Sequence, residues 1–74
     1  MWTQSYQKAL TSAEEAISIG YEDGKGYRDN GAKPEALEFN IEVSRGNYPR
    51  SPFYDYWLKG FRAGFLGERK PIAT

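Results

Sequence analysis

Two segments of this chain share one spacing of glycine, aromatic residue, two residues and glycine: GYEDG at residues 20–24 and GFRAG at residues 60–64. The residues around each segment are typical of helices, where a glycine costs about 1 kcal/mol relative to alanine. Residues four positions apart lie on one side of a helix. We therefore expect two helices to approach closely through these glycines, in the manner of small-xxx-small packing. The alternative is a bare backbone left open for a ligand or a nucleic-acid strand.

The predicted crossing includes the aromatic rings beside the glycines. Tyr21 and Phe61 directly follow the first glycine of each pair, and Trp57 precedes the second pair by three residues. Large rings can cover such a crossing and supply much of a small core. The residues predicted to form the crossing are Ala16, Gly20, Tyr21, Gly24, Trp57, Gly60, Phe61 and Gly64.

The first helix is predicted over about residues 4–29, because apolar and small residues recur at helical spacing from residue 2 to residue 27. A second version has a short helix followed by one from residue 12, where Ser12 and Glu15 have capping-box spacing. A third treats Asp23-Gly24 as a hairpin turn. In the helical versions, Asn30 and Gly31 are expected to end the element, since both tolerate the left-handed conformation.

The middle element, residues 34–45, has two interpretations. Leu37, Phe39, Ile41 and Val43 alternate with polar residues, which is typical of a half-buried strand. Pro34 and Glu35 make a good helix start, and Gly46 a good stop. We predict a helix, because a single strand has no other clear strand to pair with. If it is a strand, pairing across a homodimer is the natural solution.

A proline-containing connector at residues 47–52 leads to the last helix, predicted over residues 52–66. Ser51 is the predicted N-cap, with Pro52 at the first helical position. Gly67 is expected to end the helix, and residues 68–74 are predicted to be a flexible tail. The sequence thus predicts a single all-α domain of 74 residues, a small helical hairpin with a short middle element.

The composition argues against several functional classes. The chain has no cysteine and no histidine, so the common nucleophile–base pairs and thiolate or imidazole metal sites cannot form. The adjacent carboxylates Glu14-Glu15 and Glu22-Asp23 would point in different directions on a helix. No signal peptide or apolar run of spanning length is visible. We therefore expect a cytoplasmic binding protein that is not an enzyme, with no cofactor, no metal and no membrane association.

The glycine and aromatic motifs resemble those of the ribosome modulation factor family, short helical-hairpin proteins of bacteria and phages. The family's early motif, A-x-x-x-G-Y-x-x-G, is similar to Ala16, Gly20, Tyr21 and Gly24. Its late motif, W-L-x-G-aromatic-R, is similar to Trp57, Leu58, Gly60, Phe61 and Arg62. The resemblance implies a two-helix fold and regulation through association with the ribosome. Family members are strongly basic, whereas this chain has ten basic and ten acidic residues.

The charges are divided between the two halves of the chain, with an excess of acidic residues before residue 45 and of basic residues after it. In the first hypothesis the basic half contacts the phosphates of ribosomal or other RNA, while tyrosines stack on its bases. The predicted binding residues are Arg45, Tyr48, Arg50, Tyr54, Lys59, Arg62, Arg69 and Lys70. The alternative is a phage- or plasmid-type inhibitor or modulator that binds a host protein through exposed aromatic and charged residues. A possible homodimer would let the two halves neutralise each other.

Overall fold

A computed structural model describes Leu10, residues 12–46 and residues 52–72. Its helices are α1 (Ala13–Asp29), α2 (Leu37–Arg45) and α3 (Tyr54–Leu66), with a 3-10 turn at Pro34–Ala36 before α2. These described ranges contain no strand. The predicted small all-α fold is confirmed, and the middle element is a helix rather than a strand.

The first helix begins later than its longest predicted version. Ser12 is extended, with φ −157° and ψ 163°, and its hydroxyl accepts a hydrogen bond of 3.1 Å from the backbone N–H of Glu15. This N-cap satisfies a donor that the first helical turn leaves free. A continuous helix over residues 4–29 is therefore wrong, because Ser12 is extended. A helix from about residue 12 agrees with the structure, while the short helix of that version falls on residues outside those described. The alternative of a turn at Asp23-Gly24 is contradicted, since both residues lie inside α1.

Helices α1 and α3 end at the predicted residues, whereas α3 begins at a different residue from the one predicted. Asn30 caps α1 and is followed by Gly31 at φ 99°, and Gly67 caps α3 at φ 76°. Ser51 lies outside the described residues, and the N-cap of α3 is Phe53 rather than Ser51. Pro52 forms a turn before the helix instead of its first position. The reason is that the first helical hydrogen bond, from the N–H of Trp57, is accepted by the carbonyl of Phe53.

Helices α1 and α3 run in the same direction. A Cβ atom added to Gly20 would meet the backbone of Trp57 and Phe61, and one added to Gly24 would meet Phe61 and Phe65. Moving one turn along α1, from Gly20 to Gly24, therefore moves the contact one turn along α3 in the same direction. The intervening α2 runs antiparallel to α3 and carries the chain back, since Arg45 at its end lies beside Tyr54 at the start of α3 and Glu38 pairs with Arg62.

The four glycines bring the two backbones into contact. Added Cβ atoms at Gly60 and Gly64 would strike the carbonyl oxygens of Ile17 and Tyr21, as the first pair does with α3. The glycine hydrogen in each Cβ position therefore points at a carbonyl oxygen, the geometry of a Cα–H···O contact worth about 0.5–1 kcal/mol. Close packing and these weak contacts offset the poor helix propensity of glycine.

An aromatic column on α3 fills the core beside the crossing. Trp57 and Phe61 are fully buried, and their ring centroids are 5.0 Å apart. Phe65 continues the column at 5.8 Å from Phe61. Ala16 and Ile17 from α1 and Ile41 from α2 close the core around these rings. Large rings thus supply the apolar area that a chain this short needs.

The segment after α3 turns back along α1. The Tyr21 hydroxyl donates a hydrogen bond of 2.8 Å to the carbonyl of Glu68, and Lys70 Nζ donates one of 3.2 Å to the hydroxyl of Ser18. Residues 68–72 have no regular secondary structure but are held against α1 at these two points. The predicted flexible tail is therefore tethered along its described part.

Across the described ranges, none of the three helices has the length and apolar character needed to cross a membrane.

Candidate functional site

The structure brings together three of the residues predicted to bind RNA. Arg45, at the end of α2, lies with its guanidinium carbon 5.4 Å from the centroid of the Tyr54 ring at the start of α3. Arg62 lies on the exposed side of α3 that faces α2. Tyr48 and Arg50 lie outside the described residues. Arg45, Tyr54 and Arg62 thus lie along the outer boundary between α2 and α3, which we call the arginine–tyrosine seam.

Acidic side chains accompany both arginines of this seam. Arg45 pairs with Glu42 at 3.4 Å, and Arg62 pairs with Glu38 at 3.6 Å. All four side chains are at least half exposed, so each pair contributes little to stability and remains open to exchange with water or a partner. The pairing lowers the net positive charge available to a phosphate backbone.

Tyr54 lies at the inner edge of the seam, against the core. Its ring is half-buried and stacks on Trp57, with centroids 5.3 Å apart and planes inclined by 24°. Burial raises the pKa of the Tyr54 phenol above 10.0, and nearby Glu42 and Asp55 act in the same direction, while Arg45 and Arg62 oppose it. Tyr54 therefore belongs partly to the core and offers an edge rather than a free ring to any ligand.

The other basic residues that were predicted to bind RNA are dispersed over the surface. Lys59 lies one turn before Arg62 on the exposed side of α3, with its ammonium 5.9 Å from the centroid of the Tyr56 ring. Arg69 and Lys70 are exposed in the segment that follows α3, and Lys70 is held by Ser18 on α1. These residues do not form one continuous basic surface with the seam.

Helix α2 presents an apolar surface that the sequence reasoning missed. Phe39 is 70% exposed and Val43 is 52% exposed, although both are large and apolar. On the opposite side of α2, Ile41 and Ser44 are buried. We call Phe39 and Val43 the α2 ridge. The strand-like alternation put Phe39 and Val43 on the same side as Ile41, whereas the helical period places them one turn apart and facing outward.

Three exposed carboxylates lie along the α2 ridge. Glu35 belongs to the 3-10 turn before α2, while Glu38 and Glu42 belong to α2 and pair with Arg62 and Arg45. A depression of about 280 Å³ lies between α1 and α2. Glu22 and Asp23 of α1 border it with their carboxylates, and Ser44 borders it from α2. This acidic border belongs to the negatively charged half that the sequence indicated.

The two pairs of adjacent carboxylates considered from the sequence lie apart from one another in the structure. Asp23 accepts a hydrogen bond of 3.1 Å from the indole Nε1 of Trp57, which assigns it to the packing of α1 on α3. Glu14 and Glu15 are exposed in the first turn of α1, beside an open depression of about 530 Å³ bordered by Lys70, Pro71 and Ile72. Within the ranges that the structure describes, no three acidic groups come together as metal ligands would.

Comparison with protein-family models, with curated proteins and with solved structures gives no match. The resemblance to the ribosome modulation factor family therefore rests on the glycine and aromatic motifs alone. The fold defines a class, a small all-α protein whose two longest described helices cross in parallel through paired glycines. Two exposed surfaces distinguish it: the arginine–tyrosine seam and the α2 ridge.

Proposed function

We propose that this chain is a small non-enzymatic regulatory protein that acts in the cytoplasm by binding another protein through α2. The observation that carries the proposal is the α2 ridge. Exposed apolar residues are common when scattered singly, but here a phenylalanine and a valine lie one turn apart on the outermost side of one short helix. Aromatic anchors of this kind supply much of the binding energy in protein interfaces.

The packing of α2 supports a role beyond stabilising the fold. Its buried side is formed by Ile41 and Ser44, which contribute to the core and hold the helix in place. Placing Phe39 on the outer side adds nothing to that core, and its exposed ring has an unfavourable free energy of hydration. A partner that covers the ring recovers this free energy, at about 25 cal/mol for each Å² of apolar surface removed from water.

Association with the ribosome or another RNA is the second candidate, and the arginine–tyrosine seam favours it. Arg45 and Arg62 are exposed on the outer sides of α2 and α3, with Tyr54 beside Arg45. Cations beside an aromatic ring are the usual components of a single-strand binding surface. Glu38 and Glu42 beside both arginines place this candidate second, since their negative charge opposes the approach of a phosphate backbone.

A pull-down with purified, tagged protein tests the choice between the two. We expect one stoichiometric protein partner that survives nuclease treatment and is lost with Phe39→Ala. Ile72→Ala is the matched control, because Ile72 is 80% exposed but lies in the segment after α3. Capture that disappears with nuclease, or with Arg45→Gln and Arg62→Gln but not with Phe39→Ala, would favour RNA and contradict the protein-binding proposal.

A further inference from the structure

We infer that the α2 ridge docks against a cationic amphipathic helix of the partner, one whose apolar stripe is bordered by lysines or arginines. The inference rests on the proposed function and adds the chemistry of the partner. It combines two observations, the outward position of Phe39 and Val43 and the carboxylates that border them.

The shape of the ridge suits a helix. Phe39 and Val43 are separated by about one helical turn, so their side chains form a ridge inclined by about 26° to the axis of α2. A ridge of this spacing fits the groove between successive turns of a facing helix, the commonest mode of helix packing. The nine residues of α2 present two such positions, which limits the contact to about two turns of the partner.

The charge around the ridge selects the partner. Glu38 and Glu42 lie beside it, with Glu38 on the side facing α3, and Glu35 lies at its beginning. Two of these carboxylates hold arginines in exposed pairs that cost little to rearrange. Lysines or arginines beside the partner's apolar stripe would therefore meet carboxylates, and such complementarity raises both the association rate and the specificity.

A second copy of this chain fits the same surface poorly. Packing α2 against α2 of another copy would place one set of glutamates against the other, and like charges so juxtaposed oppose association. The charge therefore favours a basic partner over self-association.

Two synthetic peptides of about 18 residues provide the test, long enough to form helix in part. Both carry a leucine stripe, bordered by lysines in one and by glutamates in the other. We expect the lysine peptide to bind at least about tenfold more tightly at low salt, a difference of about 1.4 kcal/mol. Amide shifts in NMR spectra should map the contact to α2, and added salt should weaken it.

Matched variants separate the ridge from general electrostatics. Phe39→Ala should lower the affinity for the lysine peptide at least about tenfold, whereas Ile72→Ala should not. Glu35→Gln with Glu42→Gln should lower it severalfold and reduce its salt dependence. The control pair Glu14→Gln with Glu68→Gln removes the same charge elsewhere on the surface and should have little effect.

Several results would overturn the inference. These are equal affinity for the two peptides, binding that is unchanged by Phe39→Ala, or a single-stranded RNA that binds in a manner dependent on Phe39. If neither peptide binds but the pull-down still captures a nuclease-insensitive partner through Phe39, the inference fails while the proposed function stands. If no such partner is captured, the proposed function itself is contradicted.

Discussion

The indole Nε1 of Trp57 donates a hydrogen bond of 3.1 Å to Oδ2 of Asp23, and this bond joins α3 to α1 beside the glycine crossing. Trp57 is fully buried, so its indole N–H depends on a protein acceptor. Asp23 is part of the acidic pair that the sequence offered as surface carboxylates. Its position shows that one of the two stabilises the helix pair instead.

Removing this acceptor should destabilise the protein. We expect Asp23→Ala to lower the free energy of unfolding by about 1–3 kcal/mol, because it leaves the buried N–H of Trp57 without its partner. Asp23→Asn retains an oxygen acceptor and should cost less, and Glu22→Ala, at an exposed neighbour, should change little. Urea unfolding measures all three. An equal loss for Asp23→Ala and Glu22→Ala would contradict the assigned role of the bond.

Because only some glycines lie in the helix crossing, we expect glycine-to-alanine substitutions to change stability in opposite directions at different positions. Gly60→Ala should lower the free energy of unfolding by about 1–3 kcal/mol, because its Cβ would collide with the backbone carbonyl of Ile17 and no side-chain rotation can relieve it. Gly26→Ala should instead raise stability by about 0.5–1 kcal/mol, since nothing lies within 4 Å of its added Cβ. Thermal unfolding of both variants gives the comparison. Similar shifts in both would mean that the helices are not in backbone contact.

The orientation of α2 can be tested with two apolar truncations. Ile41→Ala should cost about 2–4 kcal/mol, because Ile41 is buried in the core. Phe39→Ala should change the free energy of unfolding by less than about 0.5 kcal/mol, since its ring is mostly in water. Denaturant unfolding gives both values. A large loss for Phe39→Ala would place Phe39 in the core and would remove the basis for the α2 ridge.

Stability at high pH should depend on Tyr54. Burial raises the pKa of its phenol, so the folded state holds this proton more tightly than the unfolded state does. The resulting stabilisation is fully present below about pH 10 and is lost as the pH rises through the raised value. Tyr54→Phe should therefore lose less stability than the wild type over this rise in pH. When tyrosine ionisation is followed by absorbance, the wild type should show a step at raised pH that is missing in Tyr54→Phe. The same titration curve for both proteins would contradict a raised pKa for Tyr54.

Several features of the fold could be predicted from local sequence. Asn30, Gly31 and Gly67 mark helix ends through the conformations that they tolerate, and Ser12 with Glu15 marks a start. The start of α3 was predicted less well, since Pro52 allows both a helical first turn and a preceding turn. For α2, local pattern supported a strand and a helix alike, and the absence of a pairing strand was the deciding argument.

The candidate site was predicted only in part. Charge and residue type indicated Arg45, Tyr54 and Arg62, which the structure brings together at the seam. The α2 ridge was missed, because the strand-like alternation places Phe39 on the same side as Ile41. Counting residues 37–45 at the helical period would have separated them into opposite sides. The pairing of Arg62 with Glu38 could not be predicted, since it depends on how α2 lies against α3. The pairing of Arg45 with Glu42 has the i,i+3 spacing of one helix, so the helical period would have indicated it.

The sequence by itself predicted that two helices would meet through paired glycines, because each pair has the four-residue spacing that places both glycines on one side of a helix. The tertiary structure alone decided that these helices run parallel, that Asp23 accepts a hydrogen bond from Trp57, and that Phe39 faces outward. Each of these depends on contacts between residues far apart in the chain. GYEDG and GFRAG specify where the backbones touch, while the direction of approach follows from the return of the chain through α2.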